Sequence, residues 1–373
     1  MVCVVRRSWW FPFAVAAVAA ACSSAEFTTI STPPTTTGDG WSEPVGDEPD
    51  GGAPSPRTGR EPEPGSPPLE MSRGVTIQVQ PSDSGAALLS AIRGAKKSVH
   101  MTMYLLTNDA VIDALGDLKA AGKDVKIVLN QTFPSNGGDN EPAYTALTKR
   151  GVAVHWAPPG YSFTHAKTII VDSALAIIMT MNLTYSSAKT NREYIATDTD
   201  PQDIVDLENI FDADFTNKAF SLPTKLVLSP ATANTVRSSR SHIKALIDSA
   251  QKSLDVEVQS LSDPTVVDAI ILAHQAKVDV RVVVDGDTST TPAQLDAIAK
   301  LKQNGVPLRT RKNPDMHAKA IVADEERTFV GSHNMTMTAL DQNREIGVLT
   351  DAKAEATKVR QIIAEDFAKG SPL

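Results

Sequence analysis

A histidine, a lysine two residues later, an aspartate five beyond that and an asparagine ten further on occur twice in this 373-residue chain. A glutamate stands twenty-eight residues past the histidine in both copies. The first set is His165, Lys167, Asp172, Asn182 and Glu193; the second is His317, Lys319, Asp324, Asn334 and Glu345. On an extended chain, a histidine and lysine two apart share one face. Lysine and asparagine supply one charge and one donor, which is what an anionic oxygen takes. Glutamate fixes an imidazole's tautomer and favours its cation. Two such sets facing each other place two imidazoles and two ammonium groups around one anion. That is a phosphodiester site, in which one histidine attacks phosphorus and the other protonates the leaving oxygen. The lysines supply the charge a metal would, so neither metal nor cofactor is expected. One His-x-Lys is ordinary on a surface strand; repetition at identical offsets carries the reading. His100, His155, His242, His274 and His333 have no such repeated partners and are read as structural.

Around each set, helix and strand patterns alternate. Helices are expected at 84–97, 108–121 and 142–150, with strands at 99–106, 125–129, 152–155 and 168–171. The second half repeats the order, with helices at 235–252, 264–276 and 292–304 and strands at 254–259, 278–284 and 306–309. Strands at 194–197 and 346–350, then helices at 201–217 and 352–369, close the two halves, and 221–230 reads as their connector. Such alternation argues α/β units. A repeat of about 150 residues is too long for a solenoid. It reads as a duplicated domain, with lobes at 73–220 and 221–373 around a pseudo-twofold axis.

The front of the chain differs in kind. Arg6 and Arg7 precede an apolar run at 9–21, which is too short to span a membrane comfortably and reads as an export signal. Ala19-Ala20-Ala21-Cys22 resembles a bacterial lipobox, which makes Cys22 a lipid-bearing first mature residue and the product an envelope lipoprotein. Ordinary cleavage nearby, leaving a secreted protein, is the alternative. Residues 23–72 contain ten Pro and seven Gly. They read as a disordered tether reaching roughly 40 Å. Only Cys3 and Cys22 are present, so the body has no disulfide. Residues 1–72 carry −5 of the net charge of −8, which leaves the body at −3. It lacks the basic excess of a non-specific nucleic-acid binder.

The duplicated pattern His-x-Lys-x4-Asp-x6-Gly-Ser-x-Asn resembles the signature of the phospholipase D superfamily. Residues 317–334 match at every defined position, whereas Met179-Thr180 stands where the first copy would have Gly-Ser. The resemblance implies two α/β/α sandwich lobes, each with a central mixed sheet, and an active site at their interface. It implies a phosphohistidine intermediate released by water or an alcohol, with His165 as nucleophile and His317 as acid. Lys167, Lys319, Asn182 and Asn334 would hold the phosphate, and Glu193 and Glu345 would orient the histidines. Asp172, Asp324, Thr180 and Ser332 would support the site, and Met179 would add bulk beside it. One chain carries both sets, so a monomer suffices. The expected substrate is a phospholipid, at a membrane reached through Cys22. A secreted nuclease or other phosphodiesterase, and an inactive phosphate- or lipid-binding lipoprotein, are the alternatives.

Overall fold

The first lobe begins with strand β1 (Thr76–Gln80), helix α1 (Ala86–Arg93), β2 (Ser98–Met103), α2 (Asp109–Ala120) and β3 (Asp124–Leu129). It continues with α3 (Glu141–Lys149), β4 (Ala153–Trp156), β5 (Lys167–Val171), β6 (Leu175–Met179), α4 (Ser187–Thr190), β7 (Asn191–Asp198) and α5 (Pro201–Phe215). The second lobe opens with β8 (Val227–Ser229), α6 (Ser239–Asp248), β9 (Ser253–Val258), α7 (Pro264–Gln275), β10 (Asp279–Asp285) and α8 (Pro292–Gln303). It ends with β11 (Leu308–Arg311), β12 (Asp315–Met316), β13 (Lys319–Ala323), β14 (Arg327–Gly331), α9 (Met337–Asp341), β15 (Glu345–Thr350), α10 (Lys353–Lys369) and β16 (Ser371–Pro372). This computed structural model describes residues 68–134, 138–232, 234, 237–286 and 291–373. The leader, Cys22 and the tether as far as residue 67 lie outside them.

The strand orders are β1-β7-β6-β5-β2-β3-β4 and β16-β11-β10-β9-β13-β14-β15-β8, with β12 added beside β7. Removing the terminal β16 and β12 leaves one order written twice. In each sheet, parallel strands from the α/β crossovers meet the antiparallel hairpin that begins at the motif lysine. Each lobe is therefore a mixed-sheet α/β/α sandwich, as expected. Helix starts follow their caps: Asn108, Asp200, Asp263 and Thr291 each accept a first-turn N–H, and prolines open α5, α7 and α8.

Three buried clusters sort the layers. One lies between the first sheet and α1–α3, and a second lies between the second sheet and α6–α8. The third joins the inner faces of both sheets with α5 and α10. The interface between lobes thus has an apolar core of its own.

Three expectations change. Residues 221–230 are not only a connector: β8 pairs with β15 as β1 pairs with β7. A three-residue edge strand with one partner leaves no alternation to read. The helix expected at 235–252 is Ser239–Asp248, because Ser238 caps it and accepts from Ser241 N. The tether's last residues are docked: Ser72 is buried and donates from its N–H to Leu349 O at 2.7 Å, while Leu69 and Met71 pack on the second lobe's core. Two apolar side chains and one ladder hydrogen bond outweigh the flexibility expected from composition.

Candidate active site

The strand segment before each motif lysine leaves its own sheet and runs parallel to the start of the other lobe's closing strand. Met316 lies opposite Arg192, and Thr164 opposite Arg344. His165 N donates to Arg344 O at 2.9 Å, and Arg344 N donates to Phe163 O at 2.9 Å. One residue further along this register, each histidine meets the glutamate of the opposite lobe. His165 Nδ1 is 2.9 Å and 3.0 Å from the two carboxylate oxygens of Glu345. His317 Nδ1 is 2.8 Å from Glu193 Oε1. The first pair has hydrogen-bond alignment; the second is a close contact without it. The glutamates therefore orient the histidines crosswise, which spacing within one repeat does not reveal.

Lys167 and Lys319 are fully buried. Lys167 Nζ donates to His165 O at 2.6 Å, and Lys319 Nζ donates to His317 O at 2.7 Å. Their other contacts differ. Lys167 lies over the Tyr104 ring, 5.0 Å from its centroid, whereas Lys319 donates to Gln259 Oε1 at 3.1 Å. Tyr104 also meets His165 edge to face at 4.6 Å. Tyr104 and Gln259 end equivalent strands but share no chemistry, so the repeat could not mark them.

Burial dominates the electrostatics. It drives Lys167 down to about 7, helped by Lys319 and opposed by Glu345 and Glu193. It drives Lys319 down to about 8 against the pull of Glu193, Glu345 and Asp285. His165 falls to about 4 because burial and the lysines outweigh Glu345, and burial lowers His317 likewise. Burial would raise Glu345, but His165, His333 and Lys167 outweigh it and hold that carboxyl at about 2. Two lysines crowded into a water-poor site, their cationic forms opposed by burial and favoured by Glu193 and Glu345, gain further from an anion placed between them.

The Asn-Arg-Glu triplets act as units. Asn191 Nδ2 donates to Glu193 at 3.3 Å, and Asn343 Nδ2 donates to Glu345 at 3.1 Å. Arg192 grips Asp366 of α10 and donates to Gln80 O; Arg344 grips Asp214 of α5 and donates to Ser229 O at 3.5 Å. Both Arg–Asp pairs cross the lobe interface. The glutamates' role as partners of the histidines was readable from the sequence; the roles of the asparagines and arginines before them were not.

Thr180 donates to Glu193 Oε2 at 2.5 Å and accepts from Tyr194 N. Ser332 accepts from Ile346 N and donates to Ile346 O at 3.4 Å. Asn182 and Asn334 follow in the same loops, each with a buried Oδ1 that has no protein partner. Met179 does not narrow the site. Strand alternation turns it to the outer face, into the core under α1–α3. Asp172 and Asp324 also lie away from the chemistry, at the far ends of β5 and β13. Asp172 accepts from the N–H groups of Lys96, Lys97 and Ser98, and Asp324 from those of Gln251, Lys252 and Ser253. They pin turns, with φ of 57° and 59°, rather than support the site. Two other histidines do have partners or neighbours of note. His100 contacts Glu208 and Asp124, and His333 is buried close enough to Glu345 to lower its pKa.

A domain family described as "Cardiolipin synthase, PLD-like domain" matches residues 88–215 and again 243–367. A mitochondrial cardiolipin hydrolase of Xenopus laevis is 34% identical over 103 residues, covering 27% of this chain and 48% of that protein. Cardiolipin synthase A of Pectobacterium carotovorum subsp. carotovorum (strain PC1) is 30% identical over 136 residues, covering 34% of this chain and 28% of that protein. The chain thus spans about half or less of the length of these relatives. In fold it is similar to phosphatidylserine synthase of Haemophilus influenzae Rd KW20, with a TM-score of 0.59 and 13% identity over 82% of this chain and 90% of that one.

Proposed function

The chain belongs to the phospholipase D superfamily, with two PLD-like domains in one polypeptide, and from that premise we propose that it is an exported phosphodiesterase acting on phospholipids. The observation that carries this reading is the crossed pairing of two histidines with two glutamates around two buried lysines. Similarity to a cardiolipin hydrolase and a cardiolipin synthase supports phospholipid as the substrate class and leaves water or an alcohol as acceptor.

The geometry supports the following course. The diester anion enters between Lys167 and Lys319, whose charges it stabilises. Glu345 accepts a proton-bearing Nδ1 of His165, which leaves Nε2 as the nucleophile. Depression of His165 keeps that nitrogen unprotonated at neutral pH. Nε2 bonds to phosphorus as the phosphorus–oxygen bond to the head group breaks. His317, brought toward its cation by Glu193 and by the bound anion, gives its proton to the departing alkoxide. It then takes a proton from the incoming water or alcohol, whose oxygen displaces His165 from phosphorus. Asn182 and Asn334 are assigned the non-bridging oxygens. Export, with Cys22 as a lipidated anchor, belongs to the same proposal and rests on the leader's composition.

The test is turnover by the purified chain in EDTA, against phosphatidylglycerol or cardiolipin vesicles and against DNA. Release of glycerol or phosphatidylglycerol is expected. Nicked DNA with untouched lipid overturns the substrate, and activity that disappears in EDTA overturns the metal-free course. Cys22→Ser is expected to release the protein from membranes; an unchanged distribution overturns the anchor.

A further inference from the structure

Seven large apolar side chains are strongly exposed among the described residues. Two of these, Tyr185 and Met337, are related by the internal repeat. Each stands three positions past its motif asparagine, and they are separated by the same 152 residues as His165 and His317. Tyr185 is 73% exposed and Met337 57%. A duplicated fold has held a large apolar group in water at one position of both lobes, at a cost in solubility that a scattered exposed leucine does not imply.

Their placement ties them to the site. Tyr185 stands two residues before α4, which leads into Asn191, the residue opposite Asp315 on the approach to His317. Met337 opens α9, and Gln342 at the end of that helix accepts from Ser162 N at 3.1 Å, three residues before His165. The two prongs therefore flank the segments that deliver the two histidines. Between surface and site on the first lobe runs an aromatic wall. Tyr104 packs on Phe133 at 5.0 Å, on Phe163 at 6.1 Å and on His165 at 4.6 Å, and all three aromatic residues are only partly buried. Lys189 lies over the Tyr185 ring, 3.4 Å from its centroid. An aromatic ring under an exposed cation, apolar in its body and charged at its tip, is the chemistry of a bilayer interface.

We propose that the face bearing the site mouth docks on a phospholipid bilayer, with Tyr185 and Met337 as paired insertion points and the aromatic wall as the apolar path to His165. The inference rests on the phospholipid reading for its partner. Its test separates the two. The full chain carrying Cys22→Ser, so that no acyl anchor intervenes, is sedimented with phosphatidylglycerol vesicles before and after Tyr185→Ser and Met337→Ser are introduced together. Turnover is followed on the same vesicles and on short-chain phosphatidylglycerol below its micellar concentration. The double variant is expected to lose roughly tenfold or more in vesicle partitioning and vesicle turnover. Turnover of monomeric lipid stays within about twofold, because neither side chain touches the reacting groups. Unchanged partitioning, equal losses on both substrates, or a parent chain that binds DNA and ignores vesicles overturns the proposal. Vesicle binding that needs the prongs without any lipid turnover removes the phospholipase reading and leaves the surface standing.

Discussion

The two lobes agree in the catalytic set that faces their interface and disagree in the packing of their outer faces. Facing the interface, the set His-Lys-Asn-Glu recurs, and so do the Asn-Arg-Glu triplets and the Arg–Asp clamps. On the outer face of β6 and β7, Met179 stands opposite Ile195 with Ile177 beside them. The equivalent residues of β14 and β15 are Gly331 and Gly347 with Phe329. A Cβ on Gly331 would lie 2.8 Å from the Phe329 ring, and one on Gly347 would lie 2.5 Å from it, so the ring covers both glycines. The catalytic set is held to one solution because each lobe completes the other's site. The outer face answers only to its own helices, and different packings serve equally well.

Crossed completion makes the first and largest prediction. Loss of His165 to Asn is expected to lower kcat by about 10⁴ or more and to abolish a trappable phosphoenzyme. Loss of His317 to Asn is expected to accumulate one. Since Glu345 serves His165, Glu345→Gln should slow phosphoenzyme formation by roughly 10²–10⁴. Glu193→Gln should instead behave as a mild His317 variant. Rapid-quench trapping with labelled lipid distinguishes them, and a Glu345 variant that accumulates phosphoenzyme breaks the crossing.

The lysines give a smaller effect. Lys167 titrates at about 7 and Lys319 at about 8 in the free site. The cationic forms hold a phosphodiester, so affinity is complete below 7 and falls as pH rises through both values. For an inert dialkyl phosphate, whose own charge does not change, the dissociation constant should rise about tenfold per pH unit above 7 and more steeply above 8. Lys167→Met should remove the earlier inflection. Affinity that stays flat from pH 6 to 9 would mean that the lysines are not what binds the anion.

The outer-face difference should touch stability alone. Met179→Ala is expected to cost about 2–4 kcal/mol. Gly331→Ala, whose new Cβ would lie 2.7 Å from Gly347 Cα, should cost about 1–3 kcal/mol. Neither should change kcat at temperatures where the variants are folded. A Met179 variant of normal stability with altered kcat/KM would return that residue to the site.

Much of this was readable from the chain, for identifiable reasons. The repeated polar residues sit at fixed offsets because each repeat is a whole folding unit, and their chemistry needs no third dimension to name. Which glutamate serves which histidine depends on a register between lobes, and every offset within one repeat is the same for either pairing. Met179 was misplaced because 176–181 is one buried run, in which alternation between faces leaves no polar mark. Only Thr180 hinted at it, since a polar neighbour in such a run marks the opposite face. Tyr104 and Gln259 escaped because they differ, and an argument from repetition is blind to what is not repeated.

The smallest expected effect concerns a lock whose charges are reversed between lobes. His100 on β2 contacts Glu208 of α5 at 2.7 Å and Asp124 at 3.2 Å. At the equivalent points of the second lobe, Asp255 on β9 is paired with Arg360 of α10 and with Arg281, both at 3.1 Å. Either arrangement ties the inner helix to the sheet, but only the first titrates near neutrality. Burial would lower His100, yet Glu208 and Asp124 outweigh it and raise its pKa above the usual 6.5. A raised folded pKa means that the stabilisation is complete below 6.5 and is lost as pH climbs through the raised value. Burial also raises Asp255, to about 6 against its arginines, so its own dependence is over by pH 7. Between pH 7 and 9 the contribution of His100 to stability should therefore fall. His100→Gln should lower stability by more at pH 7 than at pH 9. Arg360→Gln should lower it more, because it leaves a buried carboxylate short of a partner, and the loss should be greater at pH 9 than at pH 7, since with one arginine gone burial raises Asp255 further. Thermal unfolding of the three proteins at pH 7 and 9 measures this. A difference between the wild type and the His100 variant that is the same at pH 7 and 9 would show that the first lobe's lock is not the one that titrates.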